Sequence, residues 1–172
     1  LIPGLDVVGK GFEKKTVFLP QLLMSAEAAK SAFEVIKEYL SRTGKKGTPK
    51  GKVIVATVHG DIHDIGKNIV KVLLENYDFE VIDLGKDVPA EKIVERAIKD
   101  NVPLVGLSAL MTTTVPAMKE TIELLHKKAP GVKTVVGGAV LTQEYAHMIG
   151  ADKYAKDALD TVHYAQEVFG VK

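Results

Sequence analysis

Apolar and polar positions divide the chain into an amino-terminal part with helical spacing and a longer part that alternates between strands and helices. Over residues 2–40 the apolar side chains recur every three or four positions, the period of an amphipathic helix. Pro20 suits the first turn of a second helix, because its missing N–H has no helical partner there. We therefore predict two helices. Since two helices bury only one face against each other, this segment must pack on something more.

A polar stretch rich in glycine and lysine, residues 41–52, follows these helices. It has no apolar periodicity, and interdomain linkers commonly have this composition. The expected organisation is a helical segment over 1–40, a linker over 41–52 and one α/β domain over 53–172. The chain begins without methionine and within a helical pattern, so we expect it to be a fragment of a longer chain.

From Val53 onward, short apolar runs alternate five times with helical patterns. The predicted strands are 53–58, 79–84, 104–107, 133–136 and 152–155. The predicted helices are 66–76, 90–100, 115–128, 142–149 and 158–169. Apolar strands separated by amphipathic helices predict a parallel sheet covered on both faces. Five such strands favour the flavodoxin-like order 2-1-3-4-5.

Composition narrows the classes of function. Lys plus Arg is 23 and Asp plus Glu is 22, and the net charge of +1 gives no reason to expect nucleic acid or an anionic membrane as a partner. The chain has no cysteine, which excludes disulfides, thiolate-bound metals and cysteine nucleophiles. No apolar run approaches the roughly 20 residues of a membrane span, and the first residues do not resemble a signal peptide. We therefore expect a cytoplasmic protein.

Three unusual segments follow strands 1, 3 and 4 of the predicted sheet. They are Gly60 to Gly66, which contains Asp61 and His63, then Ser108 to Thr114, and Gly137-Gly138-Ala139. The carboxyl ends of parallel strands meet at one edge, where α/β sheets bind ligands, so we expect one shared site. The first segment offers a histidine beside a carboxylate, as metal-ligand sites need. The second offers hydroxyls, and the third lets a ligand approach the backbone.

Two common members of this fold are disfavoured by the same segments. A response regulator needs a phosphoacceptor aspartate at the end of strand 3, where this chain has Ser108. A flavodoxin needs a phosphate loop rich in hydroxyls and glycine after strand 1, and residues 60–66 do not provide one.

The spacing of these residues resembles that of a known family. Asp61-x-His63-x-x-Gly66, then Ser108-x-Leu110, then Gly137-Gly138 is similar to the three-part pattern of cobalamin-binding domains in corrinoid methyltransferases. The resemblance covers residues 53–170. It implies cobalamin as the cofactor, with a cobalt that cycles between methylcob(III)alamin and cob(I)alamin.

The resemblance also implies roles for single residues. His63 would be the lower axial ligand of cobalt in place of the cofactor's own benzimidazole, and Asp61 would accept a hydrogen bond from the other ring nitrogen. Thr114 stands where methionine synthases have a serine that continues this relay. The displaced nucleotide tail would lie in a pocket lined by small side chains. The other cofactor-binding residues implied at this edge are Asp64, Ile65, Gly66, Ser108, Leu110, Thr112, Gly137 and Gly138.

Residues 12–21 resemble the helical cap that covers the upper face of the corrin ring in methionine synthase and related proteins. By alignment, Phe12, Leu19 and Leu22 would lie over the methyl group and keep water from it. The family's cap is a four-helix bundle, and residues 1–40 correspond to its second half. The cobalamin domains of mutases lack this cap.

Overall similarity favours the methyl-carrying module of methionine synthase, with methyltetrahydrofolate as donor and homocysteine as acceptor. The alternative is the corrinoid shuttle protein of a methylamine, methanol or aryl-ether methyltransferase. In either case separate donor and acceptor domains or proteins are the expected partners, and a reactivation partner is a further expectation. Two other classes stay open, a cobalamin sensor and a module that binds a divalent metal at Asp61, His63 and Asp64.

Several candidate residues also have a simpler structural explanation. Asp61 could cap the following helix, and Thr114 could cap the one that begins near Val115. Gly137-Gly138 could serve tight packing between strand and helix, and Phe12 and Leu19 could form an ordinary helix–helix core. The histidines without comparable neighbours in the sequence are expected to be solvated side chains, namely His59, His126, His147 and His163.

Overall fold

The computed structural model of the chain describes residues 2–43 and 49–171. The chain divides into two compact units, Leu1–Lys46 and Gly47–Lys172. Within the described residues no helix is both long enough and apolar enough to cross a membrane.

The amino-terminal unit is a pair of helices, α1 (Ile2–Glu13) and α2 (Leu19–Thr43). The turn after α1 is held by the N–H and hydroxyl of Thr16, which both donate to the carbonyl of Gly11. Pro20 lies in the first turn of α2, as its missing N–H predicts. Several large apolar side chains are more than three-fifths exposed, namely Val7, Phe18, Met24, Val35 and Tyr39.

The carboxyl-terminal unit alternates strands and helices. The strands are β1 (Lys52–Thr57), β2 (Glu80–Asp83), β3 (Leu104–Ser108), β4 (Lys133–Gly137) and β5 (Lys153–Tyr154). The helices are α3 (Ile65–Asn76), α4 (Ala90–Lys99), α5 (Val115–Lys128), α6 (Gln143–Met148) and α7 (Ala158–Phe169), and a 3₁₀ turn spans Thr112–Thr114. All strand pairs are parallel, in the order β2-β1-β3-β4-β5. The predicted flavodoxin-like fold is therefore confirmed.

Alternate strand residues face opposite sides of the sheet, and both sides are buried. In β1, Val53 and Val55 belong to the apolar cluster that includes α3 and α7, whereas Ile54 and Ala56 belong to the cluster that includes α4 and α5. Each fully buried aliphatic side chain of this size contributes about 1.5–3 kcal/mol relative to an exposed one. The two clusters stabilise the sheet from both faces and so hold in place the edge where its strands end.

A buried lysine near the start of α3 connects this helix to β2. The side chain of Lys67 is 3% exposed, and its Nζ donates to Oδ1 of Asp83 at 2.6 Å and to Oδ1 of Asn68 at 2.8 Å. Lys71 and the N–H of Gly85 also donate to the Asp83 carboxylate. Burial alone would raise the pKa of Asp83, but these hydrogen bonds, led by that from Lys67, lower it below its usual value.

Replacing Lys67 by alanine is expected to lower the free energy of unfolding by about 3 kcal/mol, because the Asp83 carboxylate loses its most buried partner. Lys71→Ala is the matched control, with an expected loss of about 1 kcal/mol or less, since Lys71 is 20% exposed. The lowered pKa of Asp83 means that its stabilising effect is present above about pH 4 and is lost as the carboxylate is protonated below it. Urea unfolding at several pH values measures this, and a Lys67→Ala penalty that does not shrink in acid would contradict it.

Candidate functional site

The loop after β1, residues 58–64, begins with a tight turn. The N–H of Asp61 donates to the carbonyl of Val58 at 3.1 Å, and Gly60 lies within the turn at a φ of 82°, in the left-handed region that favours glycine. Helix α3 begins directly after the loop, at Ile65. The loop therefore presents Asp61 and His63 at the carboxyl edge of the sheet.

The carboxylate of Asp61 is fully buried and binds donors from two loops. Its Oδ1 accepts the N–H of His63 at 3.0 Å and lies 2.8 Å from Nδ1 of the same residue. Its Oδ2 accepts the N–H of Leu110 at 2.7 Å, the N–H of Met111 at 3.3 Å and the hydroxyl of Thr114 at 3.0 Å. Asp61 thus joins the loops after β1 and β3, and the idea that it merely caps α3 is wrong.

The surroundings of Asp61 favour its ionised form. Burial alone would raise the pKa of this carboxyl, but the hydrogen bonds from the His63 and Leu110 N–H groups, the His63 ring and the Thr114 hydroxyl outweigh that effect. The pKa of Asp61 is consequently held far below its usual range. An ionised carboxylate can only accept, so the Nδ1 of His63 carries the hydrogen that it shares with Asp61.

The other ring nitrogen of His63, Nε2, is not engaged by Asp61. The side chain is 45% exposed, and no hydrogen bond to its Nε2 is formed within the described part of the chain. When the imidazole is neutral and Nδ1 is protonated, Nε2 carries a free lone pair. A histidine held in this tautomer by a carboxylate is the usual arrangement of a metal ligand.

Small residues form a row across the ends of three adjacent strands. Thr57 in β1 is in register with Ser108 in β3, and Ser108 is in register with Gly137 in β4. The two hydroxyl oxygens lie 2.9 Å apart, and the Thr57 hydroxyl is also 3.4 Å from the carbonyl oxygen of His63. We call these three residues the strand-end row. Through Thr57, the row is linked to the loop that carries His63, and it includes Ser108 and Gly137, which are predicted to line the pocket for the nucleotide tail.

The two adjacent glycines after β4 differ in what the fold requires of them. Gly138 has a φ of 140°, and a Cβ there would lie 1.9 Å from the carbonyl oxygen of Ala109. The backbone of the loop after β3 therefore requires glycine at this position, rather than the packing of a helix on a strand. A Cβ at Gly137 would meet only the carbonyl oxygen of Ala155, at 3.4 Å. Gly137 is thus the better candidate for a position kept small by a ligand.

Gly66 has no structural reason to be glycine. It lies in the first turn of α3, and a Cβ built on it has nothing within 4 Å. Glycine in a helix costs about 0.5–1 kcal/mol relative to alanine. A group that approaches this face of the helix from outside the chain would account for the missing side chain.

Three apolar side chains in or next to the loops that carry or bind Asp61 and His63 are exposed. Ile65 is 50% exposed and Leu110 is 43% exposed, and the neighbouring Ile62 is also solvent-exposed. Asp64 precedes α3 without a capping hydrogen bond from its side chain, and Thr112 is exposed at the start of the 3₁₀ turn. The predicted residues Asp64, Ile65, Leu110 and Thr112 thus lie in or next to the loops at the carboxyl edge of the sheet, and none of these four side chains is buried.

The predicted cap residues belong to the amino-terminal unit. Phe12 is 41% exposed and Leu22 is half-buried. The side chain of Leu19 lies outside the described residues. The expected contact of these three residues with a cofactor stays a prediction.

Sequence reasoning missed a second histidine–carboxylate pair beside the first. The Nδ1 of His59 lies 2.8 Å from Oδ1 of Asp87, which also accepts the N–H of Gly60 at 2.7 Å. The expectation that His59 has no comparable partner is therefore wrong. Its partner, Asp87, comes from the loop after β2. The one signal in the sequence was that an acidic residue follows a strand whose carboxyl end lies at the same edge of the sheet as that of β1.

The alternative of a divalent metal held by protein side chains is not supported. The described ranges contain no cluster of three or more His, Cys, Asp or Glu side chains that could hold a metal ion. Both carboxylate oxygens of Asp61 already bind His63, Leu110 and Thr114. Within the described residues, His63 thus stands alone as a candidate metal ligand rather than as one of a cluster.

Two family models match the chain. A model described as a B12 binding domain matches residues 51–163, and a second model with the same description matches residues 1–37. Among curated proteins, dimethylamine corrinoid protein 1 of Methanosarcina acetivorans is 42% identical over 170 residues, which make up 98% of this chain and 79% of that protein.

Solved structures give the same relationship. The monomethylamine corrinoid protein of Methanosarcina barkeri matches with a TM-score of 0.80 and 37% identity, covering 96% of this chain and 78% of that one. The methanol:cobalamin methyltransferase complex of Methanosarcina barkeri matches with a TM-score of 0.70 and 33% identity, covering 98% of this chain and 64% of that one.

Proposed function

This chain belongs to the family of B12-binding domains found in the corrinoid proteins of methyltransferase systems, and we propose that it carries a methyl group in a system that uses a methylamine or methanol. The cofactor is cobalamin. The observation that carries the proposed role is the Asp61–His63 pair at the carboxyl edge of the sheet, in which Nδ1 lies 2.8 Å from the carboxylate and the side chain of His63 is 45% exposed.

Overall similarity in sequence favoured the module of methionine synthase. The relatives instead favour the alternative, a corrinoid shuttle protein. The matching proteins are named for dimethylamine, monomethylamine and methanol. Folate and homocysteine modules are therefore not supported as partners. The proposed partners are a methyltransferase that takes the methyl group from a small amine or alcohol, and a second one that passes it to an acceptor.

The residues of the site fit cobalamin. Bound cobalamin supplies a cobalt centre that accepts and donates a methyl group. His63 would hold the cobalt through Nε2, and Asp61 would keep the ring oriented through Nδ1. The strand-end row, whose side chains are small, would leave room for the nucleotide tail, and the exposed Ile65 and Leu110 would contact the apolar surface of the corrin ring.

Asp61 and Thr114 would control the proton that accompanies release of His63. A proton taken up at Nε2 would turn the free ring of His63 into an imidazolium, which the ionised Asp61 would stabilise because its Oδ1 lies 2.8 Å from Nδ1. The Thr114 hydroxyl lies 3.0 Å from the other oxygen of Asp61 and 2.8 Å from the carbonyl oxygen of Met111, and the ionised carboxylate is the stronger acceptor for its one hydrogen. This hydrogen bond draws charge away from the oxygen that faces His63.

Opposite pH shifts are expected when Asp61 and Thr114 are changed in turn. Asp61→Asn removes the charge that stabilises the imidazolium, so the transition in which His63 leaves cobalt should move to lower pH. Thr114→Val removes a donor to Asp61 and should move the same transition to higher pH by a smaller amount. A visible-absorption titration of the cobalamin-loaded proteins measures both, and shifts in the same direction would contradict the relay.

The cap role of residues 1–40 is part of the proposal. Phe12, Leu19 and Leu22 would cover the upper face of the corrin ring and would have to move aside for each methyl transfer. The match of residues 1–37 to a B12 binding domain model supports this assignment.

The methyl donor can be tested directly. The reduced, cobalamin-loaded protein is mixed with an extract of cells that produce it, and each candidate donor is added in turn while the visible spectrum is recorded. We expect methylation with a methylamine or methanol and none with methyltetrahydrofolate. Methylation by methyltetrahydrofolate alone would overturn the proposal.

A further inference from the structure

Asp87 contacts three successive residues of the loop that carries His63. Its Oδ1 accepts the N–H of Gly60 at 2.7 Å and lies 2.8 Å from Nδ1 of His59. Its own N–H donates to the carbonyl of Asp61 at 3.0 Å. Asp87 therefore binds both central residues of the turn that begins the loop, as well as the last residue of that turn.

The backbone of Asp87 is itself unusual. Its φ is 53°, in the left-handed region, where glycine is comfortable and other residues are uncommon. The next residue is anchored to β1, because the N–H of Val88 donates to the carbonyl of Thr57 and Val88 forms a bridge with Val58. Glycine would adopt this conformation more easily. What aspartate adds is its carboxylate, which binds Gly60 and His59.

We propose that Asp87 is a positioning residue for the lower cobalt ligand, which rests on the proposed function of His63. Asp61 is held from one side by donors of the loop after β3, namely Leu110, Met111 and Thr114. Asp87 holds it from the other side, through the turn. With both sides in place, the Asp61 carboxylate stays on Nδ1 of His63, and Nε2 stays available to cobalt.

The test compares two variants of Asp87. Asp87→Gly relieves the left-handed backbone and removes the carboxylate. Asp87→Asn tolerates the same backbone and keeps an oxygen that can accept the N–H of Gly60. If Asp87 served only the shape of the loop, glycine would perform as well as aspartate or better. If it positions the turn, glycine should impair the site and asparagine should restore part of it.

Two measurements read out the position of His63. In the cobalamin-free protein, nitrogen-15 NMR of the imidazole reports the tautomer, and we expect the form with hydrogen on Nδ1 to lose population in Asp87→Gly. In the loaded protein, we expect the Kd for cobalamin to rise about three- to tenfold, at or below the usual effect of residues that orient a metal ligand. Asp87→Asn should lie between wild type and Asp87→Gly in both measurements.

Asp78 provides a matched control. It is also an exposed aspartate with a left-handed backbone, at a φ of 68°, and its carboxylate lies 3.9 Å from Lys50. Asp78→Gly should change neither the tautomer nor the Kd. Unchanged values in Asp87→Gly would overturn the positioning role. If His63→Ala still removes the ligand in that case, the proposed function stands, whereas no effect of His63→Ala would refute the function itself.

Discussion

Replacing His63 by alanine is expected to abolish the spectrum of cobalamin with histidine as its lower ligand, while the protein stays folded. The His63 ring is one of the donors to the fully buried Asp61 carboxylate, so its removal should lower the free energy of unfolding by about 1–3 kcal/mol, which a domain of this size tolerates. Loss of the ligand itself should cost at least as much affinity as loss of a residue that orients a ligand, or about 10- to 100-fold. Visible absorption and titration calorimetry measure the two effects.

The control for this substitution is a histidine away from the site. His126 is exposed near the end of α5, and His126→Ala should leave both spectrum and affinity unchanged. If the His63→Ala protein bound cobalamin with the wild-type spectrum, His63 would not be the ligand.

A single methyl group at position 66 is expected to have opposite effects on stability and on cofactor binding. Without cobalamin, Gly66→Ala should raise the free energy of unfolding by about 0.5–1 kcal/mol, because a Cβ there meets nothing within 4 Å and alanine favours the helix. With cobalamin, the same methyl group would occupy the face against which the cofactor is proposed to lie. We expect the affinity to fall about tenfold or more, comparable to the loss of an orienting residue.

Gly131→Ala is the control that separates an effect of position 66 on cobalamin binding from a general effect of replacing glycine by alanine. A Cβ at Gly131 also meets nothing within 4 Å, but this glycine lies in the turn before β4. This variant should bind cobalamin as tightly as the wild type. Urea unfolding of the cofactor-free proteins and a binding titration check both predictions. Equal affinities for Gly66→Ala and the wild type would show that the cofactor does not approach this helix.

The sheet could be predicted because its information is local. Strands such as 53–58 are continuous apolar runs, and the helices between them show one apolar face, so the order 2-1-3-4-5 followed from the alternation alone. The Asp61–His63 pair was also within reach, since the two residues are two positions apart in one loop. Thr114 as a partner of Asp61 required the resemblance to a family, because the two residues lie on different loops.

The sequence did not reveal the side-chain pairs whose two members lie on separate elements. Asp87 reaches His59 across two loops, and Lys67 reaches Asp83 from a helix to the end of a strand. Neither pair has a signature in local spacing. Gly138 looked like a ligand contact, but its need for glycine comes from the carbonyl of Ala109. The choice between methyl donors was also out of reach, because motifs that bind the shared cofactor do not specify the partner protein.

The most direct test of the central claim is electron paramagnetic resonance of the protein loaded with cob(II)alamin, with its histidines labelled with nitrogen-15. The unpaired electron of cobalt couples to the nucleus of the lower axial nitrogen, and the line pattern therefore depends on which isotope is bound. We expect the label to change the splitting from triplets to doublets, and His63→Ala to remove this effect. A triplet that persists in the labelled protein would mean that the cofactor keeps its own benzimidazole on cobalt, and the account given for His63 would be wrong.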